Sequence, residues 1–173
     1  MAKRLYDCED LLDDIVALLK EKLPAKIDEI AAIKSENGKE ISLPQISEEA
    51  YFYQNWSDKI LNYPVAIFYG VENIQASGSG PATYEAYRIF VEVVVIDGGI
   101  ETAEINGVKT AVGIRKVNRY ARAIREVLED NFASLPWHTK TNIETVRPLS
   151  FTIDQNTSEE VKVGGVSITT GLA

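Results

Sequence analysis

From Tyr84 to Asp97 the chain carries a run that makes sense only as an extended strand. Tyr87, Ile89, Val91, Val93 and Val95 fall on one side, and Arg88, Phe90, Glu92, Val94 and Ile96 on the other. Residues two apart in a strand share a face, so the first side is wholly apolar and has to be covered. The second side is mixed, as where a sheet meets solvent or a neighbouring element. β-branched and aromatic residues dominate the run, which suits a pleated surface. Any fold for this chain must therefore lay apolar cover on this strand.

Segments of helical period supply that cover. Leu11, Leu12, Ile15, Leu18, Leu19 and Leu23 recur at helical spacing. Asp7, Glu9, Asp10, Asp13 and Asp14 stand at the start of this segment and Lys20 and Lys22 near its end, as the helix dipole favours. Pro24 suits the first turn of a second helical piece carrying Ile27, Ile30, Ala31 and Ile33, and Asn37-Gly38 reads as its left-handed cap. A later helix is expected from about Thr110 to Asn131, with an apolar stripe of Val117, Tyr120, Ala121, Ile124, Leu128 and Phe132.

Three further strands are legible. Val65 to Tyr69 is a short apolar run ending at Gly70. Ile143 to Ile153 alternates, the turn Asp154 to Ser158 follows, and Val161 to Thr170 returns, with Gly164-Gly165 marking a bulge or bend. The order helix, strand, strand, helix, strand, strand predicts an α+β fold. Its mixed or antiparallel sheet has about four strands in two hairpins, with an N-terminal helix pair and a crossover helix packed on one face. A chain of 173 residues suits one domain. An irregular segment at about 39–62, with Tyr51, Phe52, Tyr53 and Trp56, reads as a packed aromatic loop over the sheet, and flexible loops are expected at about 73–83 and 98–110.

Composition narrows the function. With 26 Asp and Glu against 18 Lys and Arg, the net charge of -8 argues against coating nucleic acid and against an anionic membrane surface. Cys8 is the only cysteine, so no intrachain disulfide forms. The first residues hold no apolar stretch of signal-peptide length, and Ile89 to Ile96 is too short to span a bilayer. A soluble protein used without export and without a membrane partner is the expectation.

No constellation for catalysis emerges. His138, the single histidine, reads as a surface loop residue with no nucleophile motif to serve. The acids around Cys8 raise a thiol pKa and do not activate it. One histidine and one cysteine do not make a zinc site, and Asp7 to Asp14 lack the glycine and loop pattern of an EF-hand. Gly78-Ser79-Gly80-Pro81 lacks the lysine of a phosphate loop. The expectation is a protein that is not an enzyme, with no catalytic residues, cofactor or metal.

The segment GIRKVNRYARAIR, Gly113 to Arg125, is the anomaly: five basic residues and no acid, followed by Glu126, Glu129 and Asp130. In a helix these charges oppose the dipole, at about 0.3–1 kcal/mol per exposed charge. Arg115, Arg119 and Arg122 fall on one helical face, flanked by Lys116 and Arg125. The plain reading is a solvated outer face. The sharper reading pairs these cations with protein acids, since arginine suits bidentate carboxylate contacts. The same chain offers such acids at Asp7, Glu9, Asp10, Asp13 and Asp14, so copies could pair head to tail and close a ring.

Several stretches together resemble a tail terminator, or tail-completion, protein of long-tailed bacteriophages. They are Leu11 to Leu19 running into Leu23-Pro24, Tyr63 to Ile67, the strand Tyr87 to Asp97, the helix Val117 to Ile124 and the closing hairpin. The resemblance lies in the order of elements over most of the chain and transfers no catalytic residue. It implies a hexameric ring, assembled in the host cytoplasm and placed at the tail-head junction of the virion. Such a ring caps the tail tube, stops its polymerisation and meets the head connector or a head-completion protein. DNA would pass through without sequence-specific binding, repelled by an acidic wall. A head-completion or neck protein of the same particle, or a non-viral adaptor domain, are the alternative readings.

Overall fold

The computed structural model describes residues 7–54, 58–75, 85–97, 102–105, 107–135, 141–154 and 159–171. The N-terminal helix pair is a single helix, α1 (Cys8–Glu36), which runs through Pro24. Proline withholds a backbone donor and normally ends a helix. Here Leu23 and Ile27, on either side of it, are fully buried in the same core, so packing holds both halves on one axis. Asp7 caps the start: its side chain accepts from the Glu9 and Asp10 amides, and the Asp10 side chain accepts from the Asp7 amide. At the far end Gly38 takes φ +68°, the left-handed turn that glycine makes at little cost.

The irregular segment contributes a short strand, β1 (Tyr51–Tyr53), and a 3-10 turn, Asp58–Asn62. The long strands are β2 (Val65–Gln75) and β3 (Glu85–Asp97). A small separate hairpin, β4 (Thr102–Ile105) and β5 (Val108–Ala111), occupies part of the region read as a loop. Helix α2 (Val112–Asp130) follows, then β6 (Asn142–Asp154) and β7 (Glu159–Gly171). The fold is α+β, with a five-stranded mixed sheet in the order β1-β2-β3-β7-β6. All pairings are antiparallel except β1 with β2.

Both helices cover one face of this sheet. Leu11, Leu12, Ile15, Leu19 and Leu23 of α1 and Val117, Tyr120, Ile124 and Leu128 of α2 join Ile67, Ile89, Val91, Val93, Val166 and Ile168 in one core. The apolar face read on the long strand is thus buried from Tyr87 to Val95. On the other face Ala66, Val94, Val161 and Val163 meet Ala50 and Ile60 from the segment before β2, which forms a partial lid.

Gly164 of β7 explains how α2 lies so close, and Gly165 how tightly β7 seats against the backbone of β3. A Cβ on Gly164 would stand 2.6 Å from Val117 Cγ1, and one on Gly165 would overlap the Val91 carbonyl. The register shift sits opposite, in β6, between Val146 and Leu149. There Arg147 and Pro148 face the single residue Gly164, and proline, which has no donor to lose, suits that edge position. Of the loop expected at about 73–83, residues 73–75 belong to β2, which pairs with β3 along its whole length, and 76–83 lie outside the described residues, as do 155–158, Gly98, Gly99, Trp56 and His138.

Candidate functional site

Helices α1 and α2 pack antiparallel, and their two ends are chemically unlike. At one end Lys26 of α1 reaches Glu29 at 2.9 Å, Asp130 at 3.2 Å and Glu126 at 3.8 Å. Arg122 pairs with Glu126 at 2.5 Å and Arg125 with Glu129 at 2.7 Å, each one helical turn apart. Hydrogen bonding to Glu29, then to Asp130, raises the Lys26 pKa above its ordinary value. The acids that run against the α2 dipole are therefore met by cations on both helices.

At the other end, the close of α1 lies beside the first half of α2. A hollow of about 490 Å3 opens there between Lys34 and Lys39 on one side and Arg115, Arg119 and Arg122 on the other. Ile114 and Asn118 complete its wall, and no described acid lines it. The start of α2 has no side-chain cap and no acid in its first turn. Those basic residues instead face the carbonyl end of α1, whose partial charge is negative. This placement accounts for the reversed charge order of α2: its cations answer the dipole of the neighbouring helix and not its own.

The structure splits the predicted arginine face. Arg119 is 6% exposed and donates from Nη2 to the Lys39 carbonyl at 2.6 Å, tying the segment after α1 to α2. It is not an outward-facing residue, because the chain from Lys39 to Leu43 folds across that side of the helix. Beside it, the fully buried Tyr120 donates to the Pro44 carbonyl at 2.6 Å, and burial pushes its hydroxyl pKa up. Arg119 Nη1 is buried and has no hydrogen-bond partner among the described residues. Burial, then Arg115, lowers the Arg119 pKa. Arg122 and Arg125 remain exposed, while Arg115 and Lys116 are half-buried.

Lys34 and Lys39 were not among the residues singled out in the sequence. Burial lowers the Lys34 pKa, followed by the charges of Arg122, Lys39, Arg119 and Arg115. The largest charge effects on it all come from cations.

The acids at the start of α1 lie at the opposite end of that helix, about 43 Å away for 29 residues at 1.5 Å each. Asp7 and Asp10 are engaged in the capping box; Glu9, Asp13 and Asp14 are exposed. Cys8 is half-buried, and burial, then Asp7, raises its pKa. A shallower hollow on the outer sheet face holds Glu72, Glu92 and Glu144 around Arg88 and the stacked pair Phe68 and Phe90. Burial, then Glu72, raises the Glu92 pKa.

Among the described residues no group of three or more His, Cys, Asp or Glu side chains is placed to hold a metal ion. No described helix is long and apolar enough to cross a membrane. Comparison with known protein families and with curated proteins finds no match to this chain.

Proposed function

We propose that this chain is a structural virion protein of the tail-terminator kind. It forms a homo-oligomeric ring that caps a phage tail tube, ends its polymerisation and presents a face to the head connector. The observation that carries the reading is the polarity of one subunit: Glu9, Asp13 and Asp14 exposed at one end of α1, and a cluster of cations beside its other end. Opposite charges at two ends of one molecule favour a heterologous contact between copies, and such contacts close into rings when the rotation permits. The exposed Arg122 and Arg125, each paired with a carboxylate one turn along its own helix, would exchange those partners for a neighbour's acids, with Lys116 beside them. One sheet with both helices on one face supports the reading at the level of fold class alone.

Native mass measured by light scattering across protein concentration and salt tests the reading. The expected result is a ring of one size that loosens as salt rises, because exposed ion pairs are screened. Arg122→Glu with Arg125→Glu should abolish the ring while leaving a folded subunit. A chain that stays monomeric both in solution and on tail tubes overturns the proposal.

A further inference from the structure

We infer that the hollow between the end of α1 and the first half of α2 is a binding site for a small, multiply charged oxyanion of the phosphate type. The ring reading is not needed for this inference. Five cationic side chains line it: Lys34 near the end of α1, Lys39 in the segment after it, and Arg115, Arg119 and Arg122 from α2, of which Arg122 also pairs with Glu126. The antiparallel helix pair already balances its charges at the Lys26 end with three carboxylates, so cation excess is not a general habit of this surface.

The second, independent observation is Arg119 itself. Its Nη2 is fixed on the Lys39 carbonyl, which orients the guanidinium plane, while its Nη1 is buried with no hydrogen-bond partner among the described residues. An unmet buried donor on a cation is costly, so such a group marks a place where a partner is expected. A guanidinium presents its donors as a fork matched to two oxygens of one oxyanion. The flexible lysines can close over a bound anion as point charges.

Size decides between kinds of anion. Arg119 is 6% exposed, so only a small group, not a helix laid across the surface, reaches its guanidinium. A single carboxylate brings one negative charge to a hollow lined by five cations, whereas phosphate brings nearly two and pyrophosphate more. Acidic protein segments have the exposed Arg122 and Arg125 to meet instead.

Isothermal titration of the full chain at constant ionic strength tests the inference. The probes are inorganic phosphate, pyrophosphate, a sugar monophosphate and a peptide copying residues 7–14. The expected result is saturable one-to-one binding of phosphate with a Kd of about 1 mM or tighter. Pyrophosphate should bind more tightly still. A sugar phosphate tighter than phosphate identifies an ester as the source, and a weaker one identifies the free anion. Lys34→Gln with Lys39→Gln should weaken binding about tenfold or more, since it removes two charged donors from the site. Arg119→Met should abolish it. Because that change also releases the Lys39 carbonyl, the double lysine variant, with an unchanged circular dichroism spectrum, carries the decision. Heat that tracks ionic strength alone, unaltered binding by the lysine variant, or capture of the acidic peptide without phosphate each overturns the inference.

Discussion

The two ends of the helix pair are built from the same residue types and reach opposite electrostatic outcomes. At the Lys26 end, cations and carboxylates alternate between helices within 4 Å, and each charge has a protein partner. At the Lys34 end, cations gather from both helices and the buried guanidinium keeps one nitrogen unmet. The first arrangement is what folding favours by itself. The second lowers stability, because like charges are held together and one donor has lost its water. A region that works against the fold while its counterpart works for it points to a role outside the subunit.

Lifting α2 from the sheet should disturb both ends at once and give the largest effect. Gly164→Ala sets a Cβ against Val117 Cγ1, in the second turn of the helix and in a packed core. Overpacking of this kind costs about 1–3 kcal/mol, read as a lower urea midpoint. If the midpoint does not move, the close seat of α2 is not what fixes the two ends.

Smaller changes separate the ends. Lys26→Met should lower the melting temperature at neutral pH, since it strips the partner from Glu29 and Asp130. The Lys26 pKa is raised in the folded state, so its contribution is fully present below the ordinary lysine value. That contribution is lost as pH rises through the folded value, where the variant and the parent should converge. Lys34→Gln should do the reverse and leave stability equal or slightly higher at neutral pH. Its folded pKa is lowered by burial and by four cations, so its cost is present while it is protonated. The cost is relieved as pH climbs from the folded value towards the ordinary one. Equal and same-signed shifts for the two lysines would erase the contrast.

Much of this architecture was legible because periodicity reports burial directly. The apolar face of β3 and the stripe Val117, Tyr120, Ala121, Ile124 and Leu128 were read from spacing and are buried. Phe132 continues the pattern but falls beyond α2, in a 3-10 turn, and is exposed. Pro24 gave a local stop signal that tertiary packing of Leu23 and Ile27 overrode. Strand β1 was missed because three residues are too few for alternation to register, and its parallel pairing with β2 is set by the chain path.

The basic segment was visible as an anomaly, yet its meaning was not. Spacing places Arg115, Arg119 and Arg122 together, but nothing in the spacing says that Lys39, 80 residues earlier, folds across Arg119. Lys34 was not singled out, although a cation in the last turn of α1 is what that helix's dipole favours. Only the antiparallel packing turns two separate charge patterns into one hollow.

The most direct test of that contrast is the urea midpoint of the parent chain and of Lys34→Gln, each measured with and without saturating pyrophosphate at constant ionic strength. A ligand that binds only the folded state stabilises it according to its affinity. The account predicts a crossing: without pyrophosphate the variant is equal to or more stable than the parent, and with it the parent is the more stable. A variant that is weaker under both conditions, or a parent indifferent to pyrophosphate, would contradict a cationic end kept for an oxyanion.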